Sequence, residues 1–173
     1  MEENKRDAEC VRIDTSTERS MVGKLVVVTG ASSGIGRAIA KVFYSQGACV
    51  ALGAHRMELL QSLCQDLKNP SVELPRALPV QTDVTNRASV VQLVSEAEKT
   101  FGRGVDVLVN VAGVMYFTMM KNVKEEEWEQ TVDVNCKGVL NGFGAVLPSM
   151  VERGKGHIIT ISSDAQDGVY FQN

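Results

Sequence analysis

Apolar positions along the chain fall into two kinds of segment. Short apolar segments rich in β-branched residues lie at residues 25–29, 48–53, 78–82, 105–109 and 157–162. They do not alternate apolar with polar positions, which is typical of strands buried on both faces, as in a parallel sheet. The segment at 78–82 fits this pattern least well, because Pro79 cannot donate a hydrogen bond within a sheet.

Between these segments, apolar residues recur every three or four positions, as expected of amphipathic helices. Four sets are visible: Ile35, Ile39, Val42 and Phe43; Leu59, Leu60, Leu63 and Leu67; Val90, Val94, Ala97 and Phe101; Trp128, Val132, Val139, Phe143, Val146 and Met150. The last set predicts one long helix. Strands alternating with helices predict an α/β fold: a Rossmann-like, doubly wound parallel sheet in three layers, with a ligand crevice at the carboxyl ends of the strands.

The chain is predicted to contain one domain preceded by a polar extension. Residues 1–20 are charged and show no apolar period, so we predict that they are disordered. Residues 21–173 form the predicted domain. A chain of 173 residues with 44% apolar and 23% charged residues is ordinary for a single globular unit.

Composition restricts the chemistry and the partners. A net charge of −3 argues against a nucleic-acid-binding domain, and no apolar run approaches the roughly 20 residues of a membrane span. Neither His55 nor His157 has metal-ligand spacing to a cysteine, and no C-x-x-C pair exists, so we expect no metal site. Free, mostly buried thiols and the lack of a secretory or mitochondrial leader predict a cytoplasmic protein.

A glycine-rich turn directly follows the first predicted strand. Residues 29–36 read Thr-Gly-Ala-Ser-Ser-Gly-Ile-Gly and lead into a helix. Gly30 permits a tight turn, Gly34 lets backbone N–H groups approach a pyrophosphate, and Gly36 lets the helix pack close to the strand. A plain glycine-rich connector is the alternative, but the strand before and the helix after the turn favour a phosphate site at a helix N-terminus.

The spacing G-x-x-x-G-x-G, preceded by threonine, resembles the short-chain dehydrogenase/reductase family, and the resemblance spans residues 22 to about 165. It implies an NAD(P)-binding domain over 21–173 and hydride transfer between a nicotinamide and a small-molecule carbonyl or alcohol, without a metal. Within the turn it implies that the following residues contact the cofactor: Thr29, Gly30, Ser32, Ser33, Gly34, Ile35 and Gly36.

The end of the second strand favours NADP over NAD. An acidic residue there would accept the ribose 2′-OH of NAD, but Ala54 occupies the place. His55 and Arg56 follow and are suited to a 2′-phosphate, with Ser33 as an additional hydroxyl donor. The alternative is that Arg56 is an ordinary solvated residue at a helix start.

Other strand ends match the same family. Asp83-Val84 follows the third strand, where the resemblance implies contact between the aspartate and the adenine amino group; a turn or N-cap aspartate is compatible with that role. Asn110, Ala112 and Gly113 match the family's Asn-Asn-Ala-Gly, with valine replacing the second asparagine. The resemblance implies that these three shape the backbone beside the cofactor ribose.

Two residues are candidates for the chemical step. Asn135 lies three positions after Val132 and four before Val139, on the apolar stripe of the fourth helix. A buried amide without partners costs about 1–3 kcal/mol, so we expect it to bond a backbone carbonyl. The resemblance implies that Asn135 also holds a water in a proton relay. It further implies that Ser163, beside Ser162, hydrogen-bonds the substrate carbonyl oxygen.

The resemblance ends at about residue 165. The family uses a downstream Tyr-x-x-x-Lys pair, in which the tyrosine protonates the carbonyl oxygen and the lysine lowers the pKa of that tyrosine. Tyr170 is the only tyrosine after Ser163 and no residue stands four positions beyond it, so we assign it no catalytic role. We therefore expect a chain truncated after the fifth strand, by alternative splicing, a shortened gene model or expression of a fragment.

Truncation has further expected consequences. The fifth strand and the apolar face of the fourth helix would lack cover, which predicts poor solubility. The family is usually homo-oligomeric through that helix, so the interface would be incomplete.

Two other functions stay open: an NADP-binding fragment without turnover, and a methyltransferase on a similar sheet. Ala54 argues against the methyltransferase, because such proteins usually carry an acidic residue at that position.

Overall fold

Five parallel strands form a single sheet in a computed structural model that describes residues 21–68 and 76–163. The strands are β1 (Leu25–Thr29), β2 (Cys49–Ala54), β3 (Ala77–Gln81), β4 (Val107–Asn110) and β5 (His157–Thr160). Their order across the sheet is β3-β2-β1-β4-β5. The predicted Rossmann-like sheet is confirmed, with strand ends displaced by at most two residues, whereas the predicted disorder of residues 1–20 lies outside the described residues.

Helices connect the strands and cover both faces of the sheet. They are α1 (Gly34–Ser45), α2 (Met57–Asp66), α3 (Arg87–Phe101), α4 (Glu125–Val132) and α5 (Gly138–Glu152), with a 3₁₀ turn at Met120–Asn122 and a π-helical segment at Asp133–Lys137. No helix in the described part of the chain is both long and apolar enough to cross a membrane.

The strands are apolar at consecutive positions because both of their faces are covered. Val26 and Val28 of β1 pack in one cluster with α1 and α2, whereas Leu25 and Val27 pack in another with α3 and α5. All four side chains are fully buried. Two helical layers thus enclose the sheet, and its carboxyl edge is left for the site.

The buried face of α1 agrees with the predicted one at Ile39 and Phe43, which are partly buried against the core, but not at Ile35 and Val42. Gly36, Ala40 and Tyr44 face the core, whereas Ile35 and Val42 are more than half exposed. A Cβ atom at position 36 would overlap the carbonyl oxygen of residue 30, so only glycine lets the helix lie this close to the strand. That contact sets the rotation of α1 and turns the two larger side chains outward.

The predicted long fourth helix is interrupted. The π-helical segment inserts one extra residue between α4 and α5, and each helical residue turns the chain by about 100°. Val146 and Met150 remain buried, but Trp128 and Val132 rotate out of phase with them and are largely exposed. The assignment of all six residues to one buried stripe was therefore wrong.

Two apolar surfaces are exposed in the described residues. Among the described strands β5 pairs only with β4 and forms the edge of the sheet, and α5 exposes Leu140, Leu147 and Val151. This agrees with the expected uncovered helix face; poor solubility stays a prediction.

The cysteines are less uniformly buried than expected. Cys49 and Cys64 are half-buried, and burial raises the pKa of both thiols, that of Cys64 to about 11. Cys136, in the π-helical segment, is exposed, because that segment faces outward at this position. Cys10 lies outside the described residues.

The crossing of α5 over β4 yields a test of packing. A Cβ atom at Gly142 would lie 2.5 Å from Oδ1 of the buried Asn110, whereas a Cβ atom at Gly144 in the same helix would lie at an ordinary van der Waals distance of 3.9 Å from Nη2 of Arg87. We expect Gly142→Ala to lower the free energy of unfolding by about 1–3 kcal/mol through overpacking. Gly144→Ala, the matched control, should raise it by about 0.5–1 kcal/mol. Urea unfolding of the full chain measures both, and equal effects would contradict this packing.

The thiols yield a second test, because the thiolate is the reactive form. We expect iodoacetamide at about pH 8 to alkylate Cys136 at least about tenfold faster than Cys64, whose burial keeps it protonated. Peptide mapping of the native protein resolves the two sites, and unfolding in urea should abolish the difference. Equal native rates would show that Cys64 is accessible.

Candidate functional site

A cleft of about 550 Å³ opens at the carboxyl ends of the central strands. Eleven of the residues predicted from the sequence line it: Gly30, Ser32, Ser33, Gly34, Ile35, Gly36, His55, Arg56, Val84, Ala112 and Gly113. The other five predicted site residues do not line it: Thr29, Asp83, Asn110, Asn135 and Ser163. Most of the predicted set is thus brought together from four separate loops.

The glycine turn between β1 and α1 forms the floor of the cleft. Gly30 has φ +67° and Gly34 has φ +52°, a region that residues with a side chain rarely adopt. A Cβ atom at Gly30 would also lie 2.7 Å from the backbone nitrogen of Ala112. The turn therefore presents its backbone and the N-terminus of α1 to the cleft, which is the arrangement that binds anions.

Thr29 connects this turn to the neighbouring strand instead of facing the cleft. Its buried Oγ1 accepts hydrogen bonds from the backbone nitrogens of Val111 (3.1 Å) and Ala112 (3.3 Å). The threonine therefore fixes the loop after β4 against the glycine turn. Contact between Thr29 and a cofactor stays a prediction.

Arg56 lies at the opposite side of the cleft and reaches the glycine turn. It is the residue before α2, and its Nη2 donates to Oγ of Ser32 (3.1 Å) and Oγ of Ser33 (3.0 Å). Ser33 precedes α1 but its side chain makes no capping bond, which leaves its hydroxyl for the arginine. Among residues 21–68 and 76–163, Arg56 has no carboxylate partner, so its charge is available to an anion.

Asp83 lies in the loop after β3 at the rim of the cleft. Its Oδ1 accepts hydrogen bonds from the backbone nitrogen (2.9 Å) and Oγ1 (2.8 Å) of Thr85, as expected for a turn aspartate. The N-cap of α3 is instead Asn86. Partial burial works to raise the pKa of Asp83, but the Thr85 hydrogen bonds and the nearby His55 outweigh it and lower that pKa below its ordinary value. Nε2 of His55 lies 3.6 Å from Oδ1 of Asp83.

Asn110 is buried at the end of β4. Its Nδ2 donates to Oγ1 of Thr160 in β5 (3.4 Å), and its Oδ1 approaches Gly142 of α5. Asn110 thus fixes two strands and a helix beneath the cleft. At this point the cleft is lined by the residues that follow Asn110 in the chain.

Asn135 is exposed, so its predicted burial was wrong. The π-helical segment rotates it away from the apolar stripe on which regular helical spacing places it. Its Oδ1 accepts from the backbone nitrogen of Val114 (2.9 Å) and its Nδ2 donates to the carbonyl oxygen of Val114 (2.8 Å). The expected bond to a backbone carbonyl is confirmed, and Asn135 anchors a loop that lines the cleft.

Ser163 is exposed at the end of the described residues, three positions beyond β5. Ser162 beside it is also exposed, and Tyr170 lies outside the described residues. Ile161 lines the cleft instead, and its backbone nitrogen donates to the carbonyl oxygen of Asn110 (2.9 Å).

Sequence reasoning missed several residues that line the cleft: Thr82, Val111, Val114, Gln130, Val134 and Ile161. Thr82, Val111 and Ile161 directly follow strands, and Val114 lies in the loop after β4. Their positions at strand ends could have indicated these four residues. Gln130 and Val134 come from α4 and the π-helical segment, and nothing local in the sequence places them at the cleft. Gln130 is held there by Tyr116, whose hydroxyl lies 2.7 Å from its Oε1.

Comparison with known proteins shows which family this chain resembles along its length. The model of the short chain dehydrogenase family matches residues 24–172. The glycine betaine reductase ATRR of Emericella nidulans is 52% identical over 148 residues, covering 86% of this chain and 11% of that protein. The uncharacterized oxidoreductase Lmo0432 of Listeria monocytogenes is 44% identical over 142 residues, covering 82% and 56%.

Solved structures agree as well. The closed form of a serine dehydrogenase complexed with NADP+ is 36% identical with a TM-score of 0.75, covering 84% of this chain and 56% of that one. A short-chain type dehydrogenase/reductase from Mycobacterium marinum is 30% identical with a TM-score of 0.80, covering 90% and 62%. The chain spans less than two thirds of the length of each of these proteins. It belongs to the short-chain dehydrogenase family.

Proposed function

We propose that this chain binds NADP in the cleft and serves hydride transfer between the nicotinamide and a small-molecule carbonyl or alcohol. The observation that carries the proposal is the position of Arg56, held by Ser32 and Ser33 of the glycine turn. A cation that has no carboxylate partner in the described part of the chain is thereby directed at the place where a cofactor ribose approaches a Rossmann turn.

Charge distinguishes the two nicotinamide cofactors. The 2′-hydroxyl of NAD calls for a hydrogen-bond acceptor at the end of β2, but Ala54 stands there and is buried. The 2′-phosphate of NADP is dianionic near neutral pH and pairs well with a guanidinium. The serine hydroxyls accept from Arg56 and keep their own protons for a phosphate oxygen. The complex of the related serine dehydrogenase with NADP+ supports the same choice.

The remainder of the cleft fits a dinucleotide. At Gly30 and Gly36 the turn offers backbone and no side chain to an incoming pyrophosphate, and Cβ atoms at these two positions would collide with backbone. Asp83 is available to the adenine amino group, and Ala112 and Gly113 to the ribose. When bound, the cofactor would donate a hydride as NADPH or accept one as NADP+, and the residues of this chain would bind and orient the dinucleotide.

Two residues would act at the substrate end. Ser163 would hydrogen-bond the carbonyl oxygen as negative charge develops on it. The carboxamide of Asn135 has two donor and two acceptor positions, of which Val114 uses one each, so it retains the capacity to hold a water. We assign Asn135 to the proton relay on this basis.

A second candidate is an NADP-binding module without turnover. Among the described residues that line the cleft there is no tyrosine and no lysine, and therefore no side chain of the kind that the family uses as its acid pair. Binding of NADPH without reduction of any aldehyde or ketone would select this candidate.

The cofactor choice is tested at Arg56. We expect Arg56→Gln to weaken NADPH binding about tenfold to a hundredfold, the loss of one charge-assisted contact, and to change NADH binding less than about twofold. Nucleotide fluorescence titrations measure both. Arg37→Gln is the control, because Arg37 pairs with Asp66 at 2.6 Å outside the cleft and should leave both affinities unchanged. Equal losses for NADPH and NADH in Arg56→Gln would contradict the assignment.

Turnover is tested at Ser163. If the chain reduces a panel of aldehydes and ketones with NADPH, Ser163→Ala should lower kcat about a hundredfold or more, as the removal of one oxyanion donor does, and should leave NADPH affinity unchanged. Ser162→Ala provides the comparison and should retain most of the activity. An active Ser163→Ala protein beside an inactive Ser162→Ala protein would transfer the role to Ser162.

A further inference from the structure

The loop between β3 and α3, residues 82–86, is held by α5 from outside the cleft. We infer that Asn141 of α5 is a positioning residue for the choice of base: it fixes this loop so that Oδ2 of Asp83 meets the amino group of adenine and not the ring N–H of another purine. The inference rests on the proposed binding of NADP and adds to it a residue that does not touch the cofactor.

Two carbonyl groups of the loop depend on Asn141. No backbone N–H of the described residues donates to the carbonyl oxygen of Val84 or of Thr85. Nδ2 of Asn141 donates to both, at 2.8 Å and 3.3 Å respectively. A primary amide nitrogen carries two protons, so one side chain can serve both carbonyls. Asn141 thereby fixes the backbone of the two residues that follow Asp83.

Helix α5 contacts the same loop a second time, one turn earlier. Gly138 is buried, and a Cβ atom there would lie 2.9 Å from Cγ2 of Val84. Residues three positions apart share one face of a helix, so Gly138 and Asn141 meet the loop together. Neither of them lines the cleft. Any effect of Asn141 on a cofactor therefore passes through the loop.

The remaining contacts of the loop orient the carboxylate of Asp83. Its Oδ1 accepts both hydrogen bonds from Thr85 and faces His55. Its backbone nitrogen donates to Oγ of Ser89 in α3 at 3.0 Å. Within the described ranges, Oδ2 accepts no hydrogen bond from the protein. Oδ2 is therefore the oxygen left for a donor on the ligand.

A carboxylate distinguishes two purines only if it cannot move. It accepts hydrogen bonds and donates none. Adenine offers its donor on the 6-amino group, whereas hypoxanthine has a 6-oxo acceptor there and its donor one ring position away, at N1. A fixed Oδ2 meets the amino group of adenine but the oxygen of hypoxanthine. A loop released from α5 would let Asp83 shift towards N1, and the distinction would weaken because hydrogen bonds depend steeply on geometry.

The test compares NADPH with its deaminated analogue, in which hypoxanthine replaces adenine and nothing else changes. Fluorescence titrations of the full chain measure both dissociation constants, and their ratio cancels the contributions of phosphates, riboses and nicotinamide. We expect the unmodified chain to prefer NADPH about tenfold or more, as a site built around one hydrogen bond to a charged group does. Asn141→Leu keeps the size of the side chain and removes both donors, so it should lower this preference at least about threefold.

Three further variants complete the comparison. Asn141→Ala removes the same donors without adding apolar surface and should show the same fall. Asp83→Asn turns the acceptor into a donor and should lower the preference at least as far. Ser149→Ala is the control, because Oγ of Ser149 accepts from Nε of Arg153 (3.2 Å) near the other end of α5, and it should leave the preference unchanged. Leucine and alanine both favour helix more than asparagine does, so the Asn141 variants should fold, which urea unfolding verifies.

The outcomes separate the inference from the proposed function. An undiminished preference for NADPH in both Asn141 variants would overturn the inference. Equal losses of affinity for the two nucleotides would also overturn it, since a merely structural role predicts that result. The same holds if the unmodified chain binds both nucleotides equally well. If the unmodified chain does not bind NADPH at all, the proposed function itself is contradicted.

Discussion

The geometry of the cleft depends on a backbone contact that leaves no room for a side chain. Gly30 approaches the backbone of Ala112, and Gly36 approaches the carbonyl of Gly30, so that both positions exclude a Cβ atom. The first contact places the turn after β1 against the loop after β4, and Thr29 secures it with two hydrogen bonds. The second sets the rotation of α1. Helix N-terminus, loop and strand ends then converge on one rim, where every other part of the site is arranged.

Charge adds selectivity to this backbone frame. Arg56 crosses the rim to two serine hydroxyls, and the Thr85 hydrogen bonds and His55 lower the pKa of Asp83 despite its partial burial. The carboxylate and the cation therefore lie on neighbouring loops without neutralising each other directly. Such a rim presents separate sites to the different parts of one nucleotide. The selectivity of the rim therefore depends on the spacing of its charges and not on their sum.

The apolar pattern and the glycine spacing were sufficient to predict the sheet. Strands buried on both faces require continuous apolar segments, and a turn with positive φ requires glycine, so both are recognisable in the sequence. The position of α1 was predicted, but its buried face was predicted only in part, since the fit of Gly36 against Gly30 overrides the hydrophobicity of Ile35. The burial of Asn135 was predicted wrongly, because a π-helical insertion leaves no periodic signal of its own. Gln130 was missed because only the tertiary fold brings α4 to the cleft. The assigned roles of the site residues remain predictions.

The extra residue of the segment Asp133–Lys137 has a consequence for how this helix tolerates change. It changes the rotation of α4 about the helix axis relative to α5, so that each helix faces a different neighbour. α4 presents Gln130 to the cleft, and α5 presents Val146 to the sheet. A point substitution in either half disturbs one neighbour only. A single-residue deletion between them would realign both halves at once, so length is under tighter constraint here than residue identity.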